Sequence, residues 1–145
     1  MASQRVSILM DFPQPVDALF AFIARHENQS IILGSRVKRL RDGEGHPDGV
    51  GSVRLNQVLP LPAFEETITA FTPCSLIEYR ITRGSLLRDH HGIIRFTPQG
   101  TGTRLDYTVT FSPKVPFTGW LLRTVAGGDL RRGLERVARM GTLTP

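Results

Sequence analysis

Apolar residues recur at every second position over much of this chain, and at helical spacing in a short stretch near its start and a long one at its end. Val6, Ile8, Met10 and Phe12 share one side of segment 5–12, the pattern of a half-buried strand. Pro13 and Pro15 end it. Val16, Leu19, Phe20 and Ile23 then fall at i, i+3, i+4 and i+7, which predicts a helix over 15–23 with proline in its first turn. A second short helix is expected over about 27–33, closed near Gly34.

Six further strands are predicted at 35–41, 52–58, 64–71, 76–82, 89–96 and 104–111, separated by segments rich in Gly and Pro. The stretch 42–49 is turn chemistry throughout, and Leu59-Pro60-Leu61-Pro62 is an unusually apolar loop. After Pro116 the period changes. Segment 117–140 lacks proline and carries Leu121, Val125, Leu130, Leu134, Val137 and Ala138, which predicts a long amphipathic helix. Gly127-Gly128 weakens its middle by about 1 kcal/mol each relative to alanine, for a bend or for space beside it.

One strand, two short helices, six strands and a final helix leave too few helices to cover parallel crossovers. The order predicts a single α+β domain over 1–145, with a seven-stranded antiparallel sheet wrapped round the long C-terminal helix. A curved sheet around one helix leaves a hollow between them. Mostly apolar residues with a few polar ones border it, so the expected occupant is a hydrophobic small molecule or lipid.

Composition changes this picture little. The chain has 145 residues, 40% hydrophobic and 21% charged, enough for one real core. Its net charge of +5 is spread out, with denser patches at Arg36, Lys38, Arg39, Arg41 and at Arg131, Arg132, Arg136, Arg139. These read as solvated faces. No nucleic-acid-binding pattern accompanies them, while transient contact with a membrane surface stays open. Cys74 is the single cysteine, which excludes an internal disulfide and suits a reducing compartment. The first residues lead straight into a strand pattern, and no apolar run nears the ~20 residues needed to cross a bilayer. A cytoplasmic protein is expected.

Strand periodicity nominates the side chains that could do chemistry. Glu66 shares a face with Phe64 and Ile68; in the competing register Thr67, Thr69 and Phe71 turn inward and Glu66 meets water. A buried carboxylate requires a partner or a proton. Tyr79 lies with Ile77 and Ile81, and Tyr107 with Leu105, Val109 and Phe111, as ligand-orienting phenols or as ordinary core tyrosines. His90 shares a face with Gly92, Ile94 and Phe96, and Gly92 would leave room for a ligand. Val125 would face the hollow from the helix. His91, on the opposite side from His90, cannot join it on one metal; no metal site and no cofactor are expected. His26 and His46 read as surface residues. Gly43-x-Gly45 lacks the residues of a phosphate loop, and no nucleophile motif is present.

Several short segments, in this order, carry a resemblance: Pro15-Val16-Asp17-Ala18-Leu19-Phe20, Glu66-x-Ile68 followed by Pro73, Leu76-Ile77-Glu78-Tyr79, and Gly102-Thr103-Arg104-Leu105-Asp106-Tyr107. They resemble the polyketide cyclase/dehydrase branch of the START-like (SRPBCC, Bet v 1-like) superfamily over nearly the whole chain. The resemblance implies a helix-grip fold, hydrophobic ligands and, in some members, aromatase or cyclase steps. Leu61-Pro62-Ala63 is also similar to the gate loop of the plant abscisic-acid receptors in that superfamily, with Glu66, Tyr79 and His90 at cavity positions. Ser85-Leu86-Leu87-Arg88 after Gly84 departs from their latch, so hormone sensing is not implied. Periodicity and the resemblance together make Glu66, Ile68, Tyr79, His90, Gly92, Tyr107 and Val125 the candidate ligand residues, with the apolar loop Leu59 to Pro62 as a lid. If the protein is an enzyme, His90 and Glu66 are the candidate acid and base.

Overall fold

Seven strands hydrogen-bond in the order β1-β7-β6-β5-β4-β3-β2, every neighbouring pair antiparallel. The computed structural model describes residues 3–59 and 62–144. Strand β1 is Gln4–Phe12, followed by helix α1 at Val16–Ala24, a 3-10 turn at His26–Asn28 and helix α2 at Gln29–Leu33. Strands β2 (Arg36–Arg41), β3 (Val53–Gln57), β4 (Phe64–Thr72), β5 (Leu76–Arg83), β6 (Leu87–Gln99) and β7 (Gly102–Pro113) follow, and helix α3 closes the fold at Gly119–Ala138. This is the helix-grip arrangement, and its elements match the predicted ones in order and type. The main differences are lengths. Strands β6 and β7 run past their predicted ends into one long hairpin, α3 is shorter by about a turn in all, and the predicted helix at 27–33 begins as a 3-10 turn.

Alternation in sequence becomes alternation in burial. Val6, Ile8 and Phe12 of β1 meet Leu105, Tyr107 and Phe111 of β7 and Ile94 and Phe96 of β6 in one core, which α1 caps with Leu19, Phe20, Phe22 and Ile23. Phe20 sits edge-on to both Phe71 and Phe96, with ring centroids 5.2 and 5.0 Å away, an arrangement that adds about 1 kcal/mol per pair beyond burial.

The two halves of α3 are held unequally. Leu130, Leu134 and Val137 in its second half are buried. Gly133 lies so close to the Ile32 carbonyl of α2 that a methyl group there would overlap it. Gln14 Nε2 donates to the Val137 and Gly141 carbonyls, both at 2.9 Å, and Arg136 donates to the Ile31 carbonyl at 3.0 Å. In the first half, Trp120, Leu121 and Val125 are exposed. The predicted apolar stripe is therefore a core contact only from Leu130 onward. Gly127 and Gly128 lie within a helix that continues past them, and the glycine that close packing demands is Gly133. Among the described residues, no helix is long and apolar enough to cross a membrane.

Candidate functional site

Between the first half of α3, which approaches β1 at Gly119 and Gly127, and the middle of the sheet, a hollow of about 240 Å³ opens. Val6, Val109 and Phe111 line it from β1 and β7, and Leu122, Val125, Ala126 and Leu130 from α3. Leu33, Val58, Pro62 and Leu86 stand at the ends of the neighbouring elements. This wall is apolar because most inward positions of β1 and β7, among them Val6, Ile8, Leu105 and Phe111, are apolar. Polar groups enter mainly from the middle of the sheet, as Glu66, Tyr79, His90 and Tyr107.

Glu66 turns inward with Ile68, and Phe71 also packs against the core. The register that turns Glu66 inward holds; of the competing one only Phe71 faces the core, while Thr69 is exposed. Ile68 pairs with Tyr79 and Ala70 with Glu78, so Thr69 is an extra residue in β4. Such a bulge reverses which positions face inward. Directly opposite Glu66 stands Arg54 of β3. Its Nε donates to Glu66 Oε1 at 2.8 Å, and Asn56 Nδ2 donates to the same oxygen at 2.7 Å. Arg54 is 4% exposed and Glu66 8%. Burial works against the Arg54 charge, but Glu66 and the two nearby phenols more than restore it, leaving it more firmly protonated than usual. The guanidinium also sits 5.4 Å from the centre of the Tyr79 ring. Both bonds to Glu66 reach Oε1, so Oε2 has no protein partner among the described residues and stays reachable from the hollow.

The Tyr79 and Tyr107 hydroxyls meet at 2.5 Å. Burial pushes both phenols up, Tyr107 to about 12 and Tyr79 well above its ordinary value. His90 owes its position to a second bulge. Arg88 pairs with Ser112 and His91 with Thr110, so β6 carries one residue more than β7 here, and Asp89 adopts a positive φ of 51°. The Ile81 N–H donates to His90 Nδ1 at 3.3 Å. That bond occupies the Nδ1 lone pair and places the ring proton on Nε2. Burial holds the imidazole below its ordinary range, with Glu66 opposing the shift and Arg54 adding to it. His90 thus offers the hollow a neutral N–H donor.

Five of the seven candidate ligand residues line the hollow: Glu66, Tyr79, His90, Tyr107 and Val125. Two do not. Ile68 is buried in the core cluster beneath it. The space over Gly92 is filled by the Tyr79 ring, which a side chain there would strike, so Gly92 makes room for a tyrosine and not for a ligand. Of the expected lid, Pro62 lines the hollow, Leu59 is exposed outside it, and Pro60 and Leu61 lie outside the described residues.

His46 is exposed as expected, but His26 is fully buried. Its Nε2 lies 3.3 Å from Ser52 Oγ and 3.7 Å from Asp48 Oδ1, while Arg39 holds Asp48 from outside at 2.5 Å. Serine, histidine and aspartate meet here without forming a nucleophilic triad, because both neighbours approach the same ring nitrogen and none of the three lines the hollow. Arg39 is accordingly more than a solvated charge. No group of three metal-ligating side chains occurs among the described residues.

Comparison with known proteins places this architecture. The family model described as polyketide cyclase / dehydrase and lipid transport matches residues 3–140. No curated protein matches the chain. Among solved structures, norcoclaurine synthase from Thalictrum flavum, in complex with dopamine and hydroxybenzaldehyde, superposes with a TM-score of 0.72 at 11% identity, over 96% of this chain and 86% of that one. A Nitrosospira multiformis protein gives 0.71 at 18% identity, over 96% and 97%. A Deinococcus radiodurans protein gives 0.66 at 21% identity, over 94% and 95%. At such identities the structures share the fold alone. The family match spans almost the whole chain, and the chain belongs to the polyketide cyclase / dehydrase and lipid transport family, within the START-like, Bet v 1-like superfamily.

Proposed function

We propose that this protein binds a hydrophobic small molecule or lipid in the hollow between its sheet and the first half of α3. One observation carries the reading: an apolar chamber of about 240 Å³ with its polar side chains set mainly on one wall. Burial of apolar ligand surface supplies affinity there, and a few fixed polar groups supply orientation. Family membership supports the same reading. Native mass spectrometry tests it, with protein purified without detergent and then exposed to the neutral apolar dye N-phenyl-1-naphthylamine. One bound apolar molecule per chain is expected. Ala126→Trp, which fills the chamber from α3, should abolish binding while the circular dichroism spectrum is retained. A folded wild-type protein that binds no apolar compound would end the proposal.

A second reading, a cyclase or dehydratase acting in the same hollow, is favoured by the two groups that remain open there, Glu66 Oε2 and His90 Nε2–H. His90 fits the role of proton donor better than that of base, since Ile81 occupies its lone pair. Glu66 is then the base, and a phenol steadies a developing oxyanion. His90→Ala should abolish turnover of a poly-β-keto substrate analogue and leave its binding intact; undiminished turnover removes the assignment.

The proposal extends to where the ligand is exchanged. Phe117 is 94% exposed and Trp120 61%, beside Leu121 and Val125 at the hollow's edge. From Tyr107 to Gly128 the chain carries Lys114 and Arg123 and no acidic residue. Exposed aromatic side chains with cations among them suit an anionic lipid surface.

A further inference from the structure

We propose that the hollow takes a ligand whose polar end is a hydroxyl and rejects one that ends in a carboxylate, and that Glu66 makes this choice. The inference rests on the binding role proposed above and adds the chemistry of the head group.

The polar wall is unusual in what it offers. Glu66 Oε2 and Asp129 stand in the lining, and no Lys or Arg does among the described residues. The nearest buried cation is Arg54. Its Nε is committed to Glu66 Oε1, and Arg54 is not among the residues that line the hollow. Asp129 is paired outward with Arg132. A carboxylate entering this space would therefore meet another carboxylate first, in an apolar chamber that weakly screens the repulsion. Like charges brought together in such a setting cost several-fold to many-fold in affinity.

The open groups also specify what would fit. Oε2 of Glu66 only accepts. Nε2 of His90 donates, since Nδ1 is taken by the Ile81 N–H. In the pair of tyrosines one hydroxyl donates to the other, which leaves one phenol proton without a partner among the described residues. A single ligand atom that both donates and accepts satisfies this set, donating to Oε2 and accepting from the imidazole or the phenol. A hydroxyl does both. A carboxylate only accepts, and an ammonium only donates, so each leaves buried groups unpaired.

Three ten-carbon competitors with the same tail separate these cases: decanol, decylamine and decanoate, each displacing N-phenyl-1-naphthylamine at neutral pH. Decanol should compete best, and decanoate should be weaker by about tenfold or more. Decanoate binding as tightly as decanol, or decylamine binding most tightly, overturns the inference while the binding role stands. A dye that never binds removes the binding role itself, which is a different failure. Glu66→Gln should shrink the gap between decanol and decanoate. Because that change leaves Arg54 buried without its partner, the double variant Arg54→Met/Glu66→Gln is measured alongside it. A gap unchanged in a folded double variant would show that Glu66 does not set the preference.

Discussion

Arg54 and Glu66 face each other across β3 and β4 with an Nε to Oε1 distance of 2.8 Å, and both are buried. The pair determines how the polar wall is built. It brings a carboxylate into an apolar interior, spends the counter-charge on the far oxygen, and leaves the near oxygen for whatever enters.

Removing one member of the pair should therefore be far worse than removing both. Glu66→Leu or Arg54→Met alone should lower unfolding stability by about 3–5 kcal/mol, because an uncompensated charge stays buried. The double replacement should recover much of that loss. Urea denaturation of the four proteins measures it, and additive losses would show that the two side chains act independently.

Both tyrosines of the chain, Tyr79 and Tyr107, are in the site, so a whole-protein titration reads the site alone. Burial holds their folded-state values above the ordinary 10.0, Tyr107 at about 12. The folded state thus keeps protons that the unfolded chain releases, and stability falls as pH rises from 10 toward 12. Ultraviolet absorbance should show no tyrosinate near pH 10 in the folded protein and its full appearance on unfolding. A normal tyrosinate transition in the folded protein would contradict the buried pair.

His26 gives the opposite pH limb. Burial, with help from Arg54 and Arg39 and against Asp48 and Glu27, lowers it from 6.5 to about 4. Its neutral form is the folded form. The contribution is fully present above pH 6.5 and is lost as pH falls toward 4, by on the order of 2 kcal/mol. His26→Gln should flatten the fall in urea midpoint between neutral and mildly acidic pH relative to wild type. Parallel slopes for the two proteins would show that other groups carry the acid sensitivity.

Phe117→Ser/Trp120→Ser should reduce cosedimentation with phosphatidylserine-containing vesicles severalfold and leave dye binding in solution unchanged. Added salt should weaken the wild-type interaction as well. Equal partitioning of both proteins, or none by wild type, refutes a lipid-facing edge.

Much of this was legible in the sequence, and each exception has a physical origin. Alternation placed Val6, Ile8, Leu105 and Phe111 correctly because β1 and β7 pair over nine positions without a shift. It also brought Glu66, Tyr79, His90 and Tyr107 to one wall. Period two failed past the inserted Thr69, where Phe71 turns to the core, because a bulge has no signature in the apolar pattern. Arg54 and Asn56 escaped notice because β3 runs against expectation, with both buried while Val53 and Leu55 keep partial exposure. An inward Glu66 was the available clue, since a buried carboxylate requires a partner or a proton and Arg54 lies directly opposite it. His26 was hidden because its neighbours Asp48 and Ser52 are distant in sequence, one inside the 42–49 turn and one just past it. Gly92 was misread because an empty Cβ position in a strand looks alike whether a ligand or a neighbouring ring fills it.

The uneven anchoring of α3 separates two kinds of evolutionary freedom. Its last turns hold the molecule together through Gly133, Leu134 and Val137, so substitution there is penalised whatever the protein binds. Val125 and Ala126, a few turns earlier, shape the chamber while carrying little of the core. Descendants of this fold can exchange those residues and acquire a new guest without having to reinvent their own foundations.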